Sequence, residues 1–178
     1  MFFQSICCAI LVTCVFGRQL QISNSFMTGI TVSVTGYSDI QMSSLSNHNL
    51  NVEEPWSGII TACHSYCGDD VRTQAQLTLS SKGDSYAVSL VNGFNIRIRI
   101  ETQKPCNGTL CYSDLLSLCP QENRIIKSNR VVACMNTPSL FEKECPEAIV
   151  TDGEKSSKTK SCHNPGQLYR VNFGKDFE

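Results

Sequence analysis

The sequence predicts an all-β fold, an antiparallel sandwich or barrel with a disulfide-rich loop region that carries two short helices. Three observations carry that expectation. Apolar residues recur at period two rather than at the 3.6 of a helix. Cysteines cluster late, with six of them falling between Cys106 and Cys162. Charged residues are sparse, at 17%, while Ser, Thr and Asn are plentiful, as in an extracellular β protein with polar loops.

The elements follow in chain order. "MFFQSICCAILVTCVFG" carries no charge and holds an apolar run from Ile6 to Phe16, shorter than the roughly 20 residues a membrane helix needs. Val15 and Gly17 suit the −3 and −1 positions of a signal-peptidase site, so residues 1–17 are expected to be a secretory signal. The alternative reading is a buried N-terminal strand. Past it, "LQISN" alternates through Leu20 and Ile22, and "ITVSVTG" through Ile30, Val32 and Val34. Residues 39–55, rich in Ser and Asn, read as a long surface connection. "AQLTLSS" alternates through Ala75, Leu77 and Leu79, and "DSYAVSLVNGFNIRIRIE" reads as two strands split by a polar turn, Val91 to Asn95. In its second half Ile96, Ile98 and Ile100 share one face, with Arg97, Arg99 and Glu101 on the solvated side.

Beyond Cys106 the alternation fades. "SDLLSLCP" fits a short helix with Ser113 as N-cap, and "TPSLFEKECP" a second with Thr137 as N-cap and Pro138 at the first position. Leu140, Phe141 and Cys145 then share a face. "TDGEKSSKTKS", Thr151 to Ser161, is polar and charged and is expected to be mobile, and "LYRVNF" returns to alternation.

At 178 residues the chain suits one domain, and a formal charge of −1 with pI near 6.3 gives no electrostatic case for nucleic acid or an anionic membrane. With Cys7, Cys8 and Cys14 in the signal, eight cysteines remain, an even number that reads as four disulfides in an oxidising compartment. "CHSYC", with Cys63, His64 and Cys67, lacks a second ligand pair at zinc spacing, so neither metal nor cofactor is expected. His48, His64 and His163 stand in polar, loop-like contexts without a nucleophile motif, and Asp152 and Glu154 in "DGE" read as solvated. "NGT" places an N-glycosylation sequon at Asn107.

Five collinear stretches resemble the thaumatin-like proteins, the family of thaumatin, osmotin and plant pathogenesis-related proteins. "PWSGIITAC" is similar to the family's Trp-Ser-Gly-Arg run before a cysteine. "TQAQLTLSSKGDSYAVSLVNGFN" resembles its Leu-Ala-Glu-Phe-Thr-Leu and Val-Ser-Leu-Val-Asp-Gly-Phe-Asn segments. "CNGTLCYSDLLSLCPQE" is similar to its Cys…Cys-x-x-Asp…Cys-Pro segment, with Asp114 on the family aspartate. "SLFEKECPEA" and "SCHNPGQLYRVNFG" resemble its helix end and closing strand. The resemblance implies an antiparallel β-sandwich core with a cleft between it and the loop region, in one thaumatin-like domain over residues 18–178. Residues 18–104 would be mainly β core, 105–165 the disulfide-rich loops and 166–174 a closing core strand. It implies the bridges Cys106–Cys162, Cys111–Cys145 and Cys119–Cys134, and Cys63 and Cys67 are then left for each other.

The chain departs from the family in ways that bear on function. The cysteines that tie the N-terminal strand to the C-terminus are missing, and only ten residues separate Cys134 from Cys145, so it resembles a shortened member. Antifungal members line the cleft with one Arg, one Glu and three Asp. Carried over position by position, these fall on Ile59, Gln76, Ala87, Asn92 and, in a loose register, Glu154. Amides keep size and hydrogen bonding but cannot exchange a proton near neutral pH. The expectation is a secreted, monomeric, non-catalytic module without a membrane span. It would bind a β-glucan, another polysaccharide or a secreted protein in defence or host–microbe contact. Alternatives are a weak endo-β-1,3-glucanase or antifungal protein, and a secreted enzyme inhibitor or effector.

Overall fold

A computed structural model describes residues 17–64, 67, 71–164 and 166–174. The expected signal, apart from Gly17, lies outside the described residues, as do Cys7, Cys8 and Cys14. Two sheets stack as a sandwich. One has the order β4 (Ser46–Glu53), β1 (Gly17–Asn24), β13 (Tyr169–Phe173), β8 (Ile98–Glu101) and β9 (Thr109–Cys111). The other runs β12 (Lys160–Cys162), β7 (Asp84–Ser89), β6 (Gln74–Leu79), β5 (Trp56–Cys63), β2 (Ile30–Val34) and β3 (Ile40–Met42). The period-two residues face inward from both: Leu20, Ile22, Ile98, Ile100 and Val171 from the first, Val32, Ile60, Ala75, Leu77 and Val88 from the second, all essentially inaccessible to solvent.

Strand pairing is antiparallel except between β1 and β13, which run parallel with Leu20 beside Tyr169 and Asn24 beside Phe173. A hairpin cannot join strands in that arrangement, and here nearly the whole domain forms the crossover. A buried ion pair fixes one end of the sandwich. Arg18 of β1 donates through Nη2 to Asp84 Oδ2 of β7 at 2.7 Å, and the Tyr169 hydroxyl of β13 donates to the same oxygen at 2.9 Å. The Ser80 amide donates to Oδ1 at 3.0 Å. Burial, reinforced by the neighbouring Asp84, holds the Tyr169 phenol well above its usual pKa.

Gly58 of β5 has a packing reason, since a Cβ there would meet the Trp56 ring at 2.4 Å. The turn after β7 is built on Gly93, at φ +86°, whose amide donates to the Leu90 carbonyl at 2.8 Å. A Cβ on Gly93 would strike the Cys134 carbonyl oxygen at 2.5 Å, so the turn is pressed against the loop region.

That region holds α1 (Leu115–Leu118), α2 (Pro138–Glu144), α3 (Lys155–Lys158) and a separate hairpin of β10 (Arg124–Lys127) and β11 (Arg130–Cys134). Disulfides join Cys63–Cys67, Cys106–Cys162, Cys111–Cys145 and Cys119–Cys134. In the chain-entropy account a loop of the Cys106–Cys162 length, 56 residues apart, is worth about 4 kcal/mol.

Several expectations are corrected here. Residues 39–55 are not a connection but contain β3 and all of β4, whose Asn side chains face outward and whose ladder to β1 is unbroken from Gly17 to Asn24. The loop region keeps β structure in β9, β10, β11 and β12. Asp114, not Ser113, occupies the first N-cap, because the Ser113 hydroxyl is drawn to the Glu144 carbonyl at 3.0 Å. Thr151 to Ser161 forms a 3-10 turn, α3 and part of β12, pinned by a capping box between Thr151 and Glu154. The strand expected from Ile96 starts at Ile98, and its arginines are half-buried and engaged: Arg97 with Asp114 at 3.5 Å, Arg99 with Glu101 at 3.4 Å and over the Tyr112 ring. His48 sits on β4 rather than in a loop.

Candidate functional site

On the face of the second sheet turned away from the core, strand alternation presents Ser57, Ile59 and Thr61 from β5, Gln74, Gln76 and Thr78 from β6, and Ser85, Ala87 and Ser89 from β7. The registers put Ile59 beside Gln76 and Gln76 beside Ala87, so these three form one row across three strands. They line a cavity of about 490 Å³ together with Thr35, Ser57, Thr78, Ser85 and, from the loop region, Thr159. Ile59 is exposed and Ala87 buried, giving a small apolar floor. Hydroxyls ring it: Ser57 and Thr78 share a hydrogen bond of 2.9 Å, and Gln76 Nε2 donates to Gln74 Oε1 at 3.0 Å. Thr35 sets the height of Ile59, accepting its amide proton at 2.9 Å.

Asn92 stands elsewhere. It lines a second cavity, of about 670 Å³, with Thr61, Gln74, Val91, Met135 and Asn136, further along the same strands. Its carbonyl accepts the Arg72 amide at 3.1 Å, which fixes the turn, while the side chain is exposed. Asn95, at the end of the same turn, braces the sheet: its Oδ1 accepts the Thr73 amide at 2.9 Å and its Nδ2 donates to the Ala62 carbonyl at 2.8 Å. The second asparagine is therefore structural.

Glu154 lines neither cavity. Its Oε2 accepts the amides of Val150 at 2.9 Å and Thr151 at 3.0 Å, and Oε1 lies 3.2 Å from Lys158 Nζ. The Val150 amide foremost, then Thr151 and Lys158, push its carboxyl down to about 2. Burial works against the charge of Lys158, and Glu142 and Glu154 outweigh it and raise its pKa. This carboxylate is a helix cap.

Among the described residues, the side chains named as lining the two cavities include no Asp or Glu, and no cluster of His, Cys, Asp and Glu suited to a metal is present. Hydroxyls and amides can hydrogen-bond a ligand in both directions, but they cannot supply the acid and base that glycoside hydrolysis requires. The hydroxyl ring of Thr35, Ser57, Thr78, Ser85 and Thr159 was not singled out from the sequence. Counting outward positions from Ile59 along its own strand would have found Ser57 of this ring and Thr61 of the second cavity.

The sequence profile of the Thaumatin family matches residues 57–139, the stretch that lines the second cavity and, apart from Thr35 and Thr159, the first. This match, with the relatives below, supports membership of the thaumatin family. It is 30% identical over 116 residues to pathogenesis-related thaumatin-like protein 3.5 of Cryptomeria japonica, covering 64% of this chain and 47% of that one. Pathogenesis-related protein 5 of Arabidopsis thaliana is 35% identical over 132 residues, 57% of this chain and 54% of that one. The chain thus spans about half the length of these thaumatin-family relatives. A solved thaumatin-like xylanase inhibitor superposes with a TM-score of 0.54 at 12% identity, over 86% of this chain and 97% of that one, which shows a shared fold.

Proposed function

We propose that this thaumatin-family protein is a secreted, non-catalytic binding module acting in defence or at a host–microbe boundary. Its groove on β5, β6 and β7 would hold an uncharged carbohydrate. The observation that carries this is the row Ile59, Gln76 and Ala87, which sets two apolar side chains on either side of an amide, bordered by hydroxyls, where hydrolysis would need paired carboxylates. A sugar offers matching chemistry, an apolar C–H face bordered by hydroxyls. Secretion is supported by the disulfides, since all eight cysteines from Cys63 onward are paired. The pathogenesis-related naming of the relatives supports the biological setting.

The test is co-sedimentation of the purified mature chain with insoluble β-1,3-glucan, run beside a reducing-sugar assay against a boiled control. Binding without sugar release is expected, and it should weaken on Gln76→Ala. Release well above the control sinks the non-catalytic reading, and no retention on any neutral polysaccharide sinks the carbohydrate reading.

A further inference from the structure

Four strands end the two stacked sheets: β4 and β9 in the first, β12 and β3 in the second. A sheet edge carries backbone donors and acceptors without a ladder partner, and folds blunt it with short strands, charges, prolines or bulges. β9, β12 and β3 are three residues each. β4 is eight residues long, and its register with β1 runs without a shift from Ser46 to Glu53. No Asp, Glu, Lys, Arg or Pro occurs from Ile40 to Val52. Of the four edges, only β4 lacks such a device before Glu53.

Two hydrogen bonds mark where the open part of that edge begins and ends. The Tyr37 hydroxyl donates to the Asn51 carbonyl at 3.2 Å, so the backbone of Asn51 points away from β1. Strand alternation gives Asn49 and Asn47 the same direction. The Leu45 amide, two residues further back, is spent on the Phe26 carbonyl at 3.1 Å. Among the described residues, Asn47 and Asn49, both exposed, are thus the open rungs. Their side-chain oxygens accept from Ser23 and Gln21 of β1, which leaves the backbone groups to face a partner. Two exposed apolar side chains flank these rungs, Leu45 at 56% and Tyr37 at 36%. Leu45 also holds φ +50°, a left-handed strain that persists only where the surroundings impose it.

This edge is complementary to itself. With a second copy laid antiparallel so that Asn47 stands opposite its Asn49, a two-fold axis passes through His48, and each pair of rungs exchanges backbone hydrogen bonds. The same register carries Leu45 of each copy to Asn51 of the other, beside the Tyr37 bound there, so both flanking apolar residues are covered at both ends. No charge between residues 40 and 52 opposes the approach. An unrelated extended peptide would fill the rungs without matching Leu45 and Tyr37 together. We propose that the protein forms a two-fold dimer by pairing β4 with β4 of a second copy, which joins two five-stranded sheets into one. The dimer replaces the monomer expected from sequence. It uses the first sheet, whereas the carbohydrate groove is on the second, and it does not depend on what that groove binds.

The test is sedimentation velocity of the oxidised mature chain over a concentration series, with hydrogen exchange read at the Asn47 and Asn49 amides. One strand pair is a small interface, so a dissociation constant of about 10–100 µM is expected. At about 300 µM two thirds or more of the chains are then paired, and those two amides should exchange about threefold or more slowly than at about 5 µM. Asn47→Lys with Asn49→Lys sets lysine against lysine across the axis and should weaken the dimer about tenfold or more, with an unchanged thermal midpoint certifying the fold. Asn49→Pro removes an amide that β1 does not use and should have the same effect, and it serves if the lysine pair does not fold. The proposal is overturned if the chain stays monomeric at about 500 µM. It is also overturned if a dimer survives both variants or forms without slowing the two amides. Growth past the dimer overturns it as well, because a two-fold contact closes.

Discussion

Replacing Arg18 by Met keeps most of the alkyl packing and removes only the guanidinium. The side chains of Arg18 and Asp84 are 11% and 2% exposed, and their closest atoms are 2.7 Å apart. Without Arg18, the Asp84 carboxylate stays buried with only the Tyr169 hydroxyl and the Ser80 amide to hold it. Removing one partner of a buried pair typically costs about 3–5 kcal/mol, because the other charge is left uncompensated. For a domain of this size each kcal/mol moves the midpoint by about 2–4 °C, so the loss is about 6–20 °C. An exposed pair such as Lys143–Glu144, whose lysine is 80% accessible, is worth about 0–1 kcal/mol. Calorimetry of the oxidised protein near neutral pH checks this, and Asp84→Asn added to Arg18→Met should recover part of the loss by removing the stranded charge. A shift of less than about 2 °C for Arg18→Met would show that the pair behaves as a surface contact, and the reasoning fails.

Rebuilding an acidic cleft should meet unequal resistance. Gln76→Glu sits half-exposed and should cost less than about 1 kcal/mol, whereas Ala87→Asp, at a position only 2% accessible, should cost about 3 kcal/mol, and an unchanged midpoint for the latter would contradict its burial. Glu154 stabilises through a carboxyl held at about 2 against an ordinary 4.5, so its contribution is complete above 4.5 and is lost as pH falls toward 2. Glu154→Gln should therefore lower the midpoint near pH 6 and approach the parent near pH 2.5, with equal differences at both pH values counting against the assignment. Asn107 is exposed while the Tyr86 hydroxyl holds its carbonyl at 2.6 Å. Material secreted from a eukaryotic host should lose mass on glycosidase treatment, and constant mass removes the glycan.

The strands read correctly from sequence are those in which branched or aliphatic residues alternate, as in Ile30, Val32 and Val34 or Ala75, Leu77 and Leu79. They are buried on one face, so the core dictates the pattern. β4 escaped because it is an edge strand with Asn47, Asn49 and Asn51 outward, residue types that signal loops, and its order comes from pairing with β1. The β10–β11 hairpin escaped because its clamp is a disulfide and backbone bonds rather than a buried apolar face. At the site, family resemblance brought Ile59, Gln76 and Ala87 together, and the strand registers give that grouping a geometric reason. It misplaced Glu154 because a capping carboxylate and a cleft carboxylate look alike in one dimension.

The parallel pairing of β1 with β13 also sets a timetable. β13 lies between β1 and β8, so these two strands cannot be joined into one sheet until residues 169–173 have been made. Sheets advance in steps of about 4.7–4.9 Å, and no other segment carries Tyr169, Val171 and Phe173 to fill that slot. Synthesis at about 5–20 residues per second therefore delivers the centre of that sheet after its other four strands. The hydrophobic seam between β1 and β8 stays open until residues 169–173 are made, and those residues close it.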